Sequence, residues 1–284
     1  MKKYNFTANQ NTKILKFLSQ NLSGYKYSAL EKALRQKDII INGTRVKQNV
    51  NVKLGDRVEI YLDEKQKDTF FSVVYQDDNV IVFNKKKGIE VCDGDYNIQT
   101  EYYNQTNRQI YAVHRIDRNT LGLVIFAKTK QVERDLTEVF KGNFSKKYYY
   151  ALVSGEPKQS ETKLVGYLLK NKETSTVKIF NNKIEGAVKV ETTYSVIKNI
   201  QELSLLNVQI SAGKTHQIRA HLAYNKLPIL GDEKYGDTKI NKLYGKKTQY
   251  LQAYKIEFDI PSSNKMSYLN NIEFKIDCEV GKIM

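Results

Sequence analysis

Three histidines, His114, His216 and His221, mark the stretches of this 284-residue chain whose residue types could do chemistry. All three lie in two polar-rich segments bordered by apolar runs. The first, from Ala112 to Gly122, carries His114, Arg115, Asp117 and Arg118 between strand-like runs at 110–113 and 123–127. A loop joining two strands is a place where a rigid scaffold presents reactive groups. The second, from Ser211 to Leu222, joins the run 203–210 to a segment with helical spacing. Thr215 is expected to cap that helix. Ile218 and Leu222 would anchor one helix face in a core. Arg219 shares the neighbouring face with Thr215 and would project beside the loop above the sheet. Lys214 and the free N–H groups of the helix start suit a phosphate. Singly, each residue has an ordinary structural use; together they define a site.

Other chemistries find no support. The chain has no Gly-x-x-x-x-Gly-Lys-Ser/Thr, no Gly-x-Gly-x-x-Gly and no His-Glu-x-x-His. Asp93-Gly94-Asp95 reads as a turn rather than a metal loop. Cys92 and Cys278 are far apart, which argues against a disulfide scaffold or a zinc site and suits a reducing cytosol. No metal and no cofactor are expected. No apolar run approaches the ~18 residues of a membrane span, and the start Met1–Phe6 lacks the apolar stretch of a signal peptide. A folded cytoplasmic chain without membrane contact is expected. Its 46 basic residues against 31 acidic ones, a net charge of +15, favour a polyanionic partner, nucleic acid above all.

More than half of that excess lies in residues 1–62, which carry 12 basic and 4 acidic residues. Thr12–Leu22 and Ser28–Leu34 have helical spacing, the second after a cap at Ser28. Ile39-Ile40-Ile41 meets Asn42-Gly43, a hairpin signal, and Arg57–Leu62 alternates like a strand. Two short helices followed by a small sheet are expected, then a polar linker over 63–69. From Phe70 to the end the pattern is strand-rich, with runs at 80–83, 110–113, 123–127, 148–153, 188–196 and 203–210. Helical spacing recurs at 130–140 and 215–224. Irregular interruption of strands by helices favours an α+β domain over residues 70–284.

Four segments resemble motifs of the RluA-type RNA pseudouridine synthases. His114-Arg115-Ile116-Asp117-Arg118-Asn119-Thr120-Leu121-Gly122-Leu123 is similar to that family's His-Arg-Leu-Asp-x-x-Thr-Ser-Gly-Leu. Gly213-Lys214-Thr215-His216-Gln217-Ile218-Arg219-Ala220-His221-Leu222 resembles its Gly-Arg/Lys-Thr-His-Gln-Ile-Arg-x-His-Leu. Pro228-Ile229-Leu230-Gly231-Asp232-Glu233-Lys234-Tyr235-Gly236 and Lys147-Tyr148-Tyr149-Tyr150-Ala151-Leu152-Val153-Ser154-Gly155 are similar to two more. The order and approximate spacing agree over about residues 70–284. Lys86 stands where the family has a proline, Leu121 replaces its Ser or Thr, and Gln252 replaces a histidine. The N-terminal module resembles the small RNA-binding domain named after a ribosomal small-subunit protein.

The resemblance implies a mixed, largely antiparallel sheet flanked by helices, preceded by the small helix-helix-sheet RNA-binding domain. It implies isomerisation of specific uridines to pseudouridine, with Asp117 as the reacting carboxylate, Arg219 as its partner and Tyr149 against the base. The reaction donates no group and oxidises nothing. It needs a carboxylate that can act covalently or take a proton beside the glycosidic bond. Whether Asp117 attacks sugar or base, or removes a proton, stays open. The target base must be flipped out of its stack, and Arg115 is implied to fill the vacated space. Lys214 and His216 are expected to touch the RNA at the pocket, and Lys26, Lys32 and Arg35 to bind phosphates from the N-terminal module. The expected substrate is large-subunit ribosomal RNA, with transfer RNA as runner-up, and the expected state is a monomer. A catalytically silent RNA-binding or ribosome-assembly protein is the competing reading, against which intact Asp117, Tyr149 and Arg219 argue. A methyltransferase would need a glycine-rich cofactor loop, and none is found.

Overall fold

Tyr4 and Phe6 alternate with exposed residues in strand β1 (Lys2–Thr7) of the computed structural model, which describes residues 1–22, 25, 27–62, 70–94, 96–171 and 173–283. A two-residue strand β2 (Thr12–Lys13) leads into helix α1 (Ile14–Asn21), which buries Ile14, Leu15, Phe17 and Leu18. Helix α2 (Tyr27–Arg35) buries Leu30, Ala33 and Leu34 against the same core. Strands β3 (Ile39–Ile41) and β4 (Thr44–Val46) form the expected hairpin. Asn42 and Gly43 both take positive φ, 48° and 83°, the conformation a two-residue turn of matching twist requires. Strand β5 (Asn51–Val52) pairs with β2, and β6 (Arg57–Leu62) turns Val58, Ile60 and Leu62 inward. The sheet order is β1-β6-β3-β4.

Two expectations for this region change. A strand precedes the helices, because β1 pairs antiparallel with β6 along its whole length. Ser28 is not a cap, because α2 starts at Tyr27 and places Ser28 in its first turn. The linker read at 63–69 lies outside the described residues.

By contacts the chain divides into residues 1–71 with 89–110, and residues 72–88 with 111–284. The sequence reading put all of 70–284 in one domain, and the excursion 89–110 departs from it for a plain packing reason. Tyr96 stacks on Tyr27 with centroids 5.8 Å apart and meets Phe70 edge-on at 5.2 Å. Helix α3 (Ile98–Thr106), capped by Asn97 accepting the Thr100 N–H, packs on α1, where Asn104 donates to the Ser19 carbonyl.

The second unit is built on one large sheet. Its strands are β7 (Phe71–Gln76), β8 (Val80–Lys85), β9 (Tyr111–Ala112), β10 (Leu121–Ala127), β11 (Ser145–Ser154), β12 (Glu161–Asn171), β13 (Thr176–Phe180), β14 (Val188–Ile200), β15 (Leu203–Ile210), β16 (Leu251–Phe258) and β17 (Phe274–Lys275). The main order is β13-β12-β14-β15-β11-β16-β10-β8-β7, with β9 on β10 and β17 on β16. The registered pairs are antiparallel except β10 with β16. Helix α4 (Lys130–Lys141) starts at Thr129, whose hydroxyl accepts the Val132 N–H, and packs Val132, Leu136 and Val139 on Leu123 and Ile125 of β10. Helix α5 (Gln217–Tyr224) sets Ala220 against Leu168, Val177, Ile179 and Val190. A short helix α6 (Thr238–Leu243) is capped by Asp237. Among the described residues no helix is long and apolar enough to cross a membrane.

The parallel contact sits directly after the Asp117 loop. It joins Leu121 to Gln252 and Gly122 to Ala253. Gly122 has φ +111°, and a Cβ there would collide with the Ala253 carbonyl. Backbone meets backbone, so no side chain can yield. Gly122→Ala is expected to lower stability by roughly 2–4 kcal/mol from overpacking and backbone strain. Urea denaturation measures this; a variant as stable as the parent would show that the strand pair can separate freely.

Candidate active site

The Asp117 loop is pinned at several points by buried donors and acceptors. The Thr120 N–H closes a turn onto the Asp117 carbonyl at 2.9 Å. Lys85, wholly buried, donates from Nζ to the carbonyls of Arg118 (2.8 Å) and Lys86 (2.9 Å). Gly88 and Arg118 bond each other through the Gly88 N–H (2.9 Å) and Arg118 Nε (3.1 Å). Thr120 Oγ1 accepts from the buried Gln249 amide at 2.8 Å. Upstream, His114 Nε2 accepts the Ile125 N–H at 3.0 Å, and the ring lies 4.7 Å from that of Phe140. Its Nδ1 is buried and has no hydrogen-bond partner among the described residues. Burial, then the charge of Lys147, pushes the His114 pKa down to about 3.

The second segment is held by Lys147, whose Nζ donates to the Ser211 carbonyl at 2.6 Å and to Ser145 Oγ at 3.2 Å. Burial pushes Lys147 down to about 8. The expected Thr215 cap does not form. The chain enters α5 through His216 in the left-handed region (φ 52°), which leaves Thr215 one residue too early and exposed. Gln217 does the local work instead: its Oε1 accepts the Lys214 N–H, and its Nε2 donates to the Glu191 carbonyl.

Arg219 is buried, as is the carboxylate of Asp232 beside it. Its Nε donates to Asp232 Oδ2 (2.7 Å) and its Nη2 to Asp232 Oδ1 (2.9 Å), while Nη1 donates to Asp117 Oδ2 (2.8 Å). The forked contact of Arg219 is therefore made to Asp232, and Asp117, its expected partner, receives a third N–H. Asp232 Oδ1 also accepts the N–H groups of Lys234 (2.9 Å) and Tyr235 (3.1 Å). Burial opposes the charge of Asp232, but Arg219 and these two N–H groups bring its pKa below the usual carboxylate value. Burial opposes the charge of Arg219 too, and Asp232 followed by Asp117 raises its pKa above the ordinary one. The guanidinium also lies 5.2 Å from the Tyr235 ring.

Tyr235 ties this triad to His216. Its hydroxyl accepts the Val177 N–H at 2.8 Å and lies 2.9 Å from His216 Nδ1. His216 Nε2 faces Asp117 Oδ2 at 4.0 Å. Burial lowers the His216 pKa, with Asp117 opposing and Arg219 assisting. Tyr149, buried in β11, has its phenol raised by burial and then by the charge of Asp117. Tyr148 and Tyr150 turn to the other sheet face, Tyr148 bonding Glu257 and Tyr150 stacking on Tyr254 at 3.8 Å.

The two site segments and Tyr149 border a cavity of about 160 Å³. Asp117, Tyr149, Arg219, Arg115, Lys214 and His216 all line it, so six of the residues picked from the sequence converge there. Lys32 and Arg35 are exposed on α2 of the other unit, and Lys26 lies outside the described residues. The sequence reading assigned no role to Asp232, Tyr235, Lys85 or Lys147. The signal for three of them was present, since Lys147, Asp232 and Tyr235 stand inside the quoted motifs.

The class of protein is thus an α+β fold whose large mixed sheet carries an Asp–Arg–Asp cluster, with Asp117 and Arg219 of that cluster lining the cavity. Residues 79–224 match the RNA pseudouridylate synthase family, and the chain belongs to it. It is 29% identical to a ribosomal large subunit pseudouridine synthase C of Vibrio parahaemolyticus, over 89% of this chain and 87% of the relative. It is 32% identical to an RNA pseudouridine synthase of Mycoplasma capricolum, over 92% of each chain. The structure of human RNA Pseudouridylate Synthase Domain Containing 1 superposes with a TM-score of 0.61 at 20% identity, covering 73% of this chain and 83% of its own, and shares the fold.

Two outcomes follow from the geometry. Asp232→Ala leaves a buried guanidinium short of its forked partner and is expected to cost about 3–5 kcal/mol in urea denaturation; a loss below about 1 kcal/mol would show that Arg219 does not rely on it. Between about pH 6.5 and 3 the unfolded chain binds a proton at His114 that the folded chain does not, so stability falls as pH falls through that window. His114→Gln keeps an acceptor for Ile125 but cannot titrate. It is expected to flatten the fall of the urea midpoint below pH 6.5, the residual slope including His221, which burial pushes down to about 4. Identical slopes in parent and variant would contradict this.

Proposed function

We propose that this RNA pseudouridine synthase acts on uridines of large-subunit ribosomal RNA, with Asp117 as its reacting carboxylate. The observation that carries the reading is the carboxylate of Asp117 on the wall of a cavity that Tyr149 also lines, 2.8 Å from Arg219 Nη1. In the isomerisation the N1–C1′ bond breaks, the uracil turns, and C5 joins C1′. C5 gives up its proton and N1 gains one, so the product has the atoms of the substrate. The carboxylate serves either as a nucleophile or as a proton acceptor beside the glycosidic bond. Arg219 orients Asp117 and keeps a positive charge next to it. Tyr149, held as the neutral phenol, offers a face for the base to pack on. Arg115 is exposed at the mouth, where it can take the place the flipped nucleotide leaves.

Lys214 and His216 border the same cavity and are proposed to contact the RNA strand entering it. The module of residues 1–62 is proposed to bind RNA through Lys26, Lys32 and Arg35, on the strength of its charge excess. Support for ribosomal RNA comes from the relatives whose names specify the large ribosomal subunit. Transfer RNA is the alternative folded polyanion. Activity on protein-free large-subunit RNA and on transfer RNA, both from cells lacking the enzyme, separates the two. Modification of transfer RNA alone would overturn the ribosomal assignment.

Asp117→Asn is expected to abolish tritium release from RNA labelled at C5 of uridine while RNA affinity stays near that of the parent. Normal release would remove Asp117 from the mechanism. Lys32→Gln with Arg35→Gln is expected to flatten the salt dependence of RNA binding by roughly one unit per lost phosphate contact. An unchanged slope would show that α2 does not touch RNA.

A further inference from the structure

A second group of charges lies beside the Asp117 loop and takes no part in the geometry above. Lys87, in the loop after β8, and Lys246, in the turn after α6, both approach the ring of Tyr250. Their ammonium groups lie 4.1 and 5.4 Å from its centroid. Lys87 Nζ also donates to Thr248 Oγ1 at 3.3 Å. Neither lysine has a carboxylate within 4.0 Å among the described residues. Both are half-buried, and their chain neighbours Lys86 and Lys247 are exposed.

Two cations gathered on one ring without a counter-charge repel each other and lose hydration. Burial, then Lys246, pushes Lys87 down to about 8. An anion seated between them relieves both penalties. The position bears on which anion. Lys87 precedes Gly88, which is bonded both ways to Arg118, and Gln249 is bonded to Thr120 of the cavity lining. The cluster thus borders the loop that carries Asp117. A cavity that admits one flipped base leaves the strand's phosphates at its rim.

We propose that Lys87 and Lys246 form, on Tyr250, a binding site for a phosphodiester of the substrate strand next to the flipped uridine. This rests on the reading of the chain as an enzyme acting on RNA.

The test is binding of a fluorescein-labelled large-subunit RNA fragment between about 50 and 200 mM salt. Lys87→Gln with Lys246→Gln is expected to make the plot of log affinity against log salt shallower by roughly one unit, and to raise KM by a larger factor than it lowers kcat. Lys87→Arg with Lys246→Arg keeps both charges and should restore the slope. A slope equal to that of the parent in the glutamine variant overturns the site. Should the glutamine variant not fold, acetylation of the wild-type protein decides: protection of both lysines by bound RNA supports the site, and equal labelling with and without RNA overturns it. Pseudouridine formation by the wild-type protein is scored on the same RNA. Its absence counts against the proposed substrate, whereas an unchanged slope with an active wild type counts against this site alone.

Discussion

A guanidinium buried in a protein core must be matched by fixed acceptors, and here that requirement organises the whole site. Arg219 spends two of its N–H groups on Asp232 and one on Asp117. Asp232 has no exposed side-chain surface, whereas Asp117 retains 24% exposure. The division of labour follows from that difference. The buried carboxylate neutralises the arginine and fixes its plane, and the accessible one is left facing the cavity with a single bond to give direction. Charge-assisted, bidentate contacts are the strong kind, and a lysine could not reproduce this fork.

The sheet serves the same end. β10, β11 and β15 bring Asp117, Tyr149 and the α5 entrance to one place, and the loops between them would be free to wander without further ties. Buried lysines supply those ties. Lys85 holds the Arg118 carbonyl and Lys147 the Ser211 carbonyl, one for each site segment. Each is a cation given protein oxygens in place of water, two carbonyls for Lys85 and a carbonyl and a hydroxyl for Lys147, which is costly to bury and therefore poorly suited to any arrangement but this one. His114, kept neutral by burial, secures the first segment from below through the Ile125 N–H.

Much of this was legible in the residues. The strand at 203–210, the hairpin at Asn42-Gly43 and the helix over 130–140 rest on local period and turn chemistry, which act within a few residues. The pairing of Asp117 with Arg219 was legible only through the resemblance of the two polar segments to family motifs, because the strands that carry them, β10 and β15, are separated in the sheet by β16 and β11. What escaped depends on contacts distant in sequence. Strand β1 is short, and its alternation acquires meaning only when β6 lies beside it. The 89–110 excursion meets Tyr27 of α2 through Tyr96 and α1 through α3, neither of which carries a periodic signal strong enough to announce a partner. Asp232 stands in a loop where an aspartate is commonly a turn former, and only its burial shows that it is the counter-ion of Arg219. Thr215 looked like a cap because the left-handed turn at His216 leaves no mark in side-chain chemistry.

The central claim is that Asp232 acts through Arg219 to place Asp117. A double-mutant cycle on tritium release tests it most directly, using Asp232→Asn, Arg219→Gln and the pair together, each assayed for kcat and KM under conditions where the folded fraction is measured. If both residues act through one placement, the pair should be little slower in kcat than Arg219→Gln alone, a strongly non-additive result. Losses that multiply would mean that Asp232 and Arg219 contribute independently, and would contradict the account.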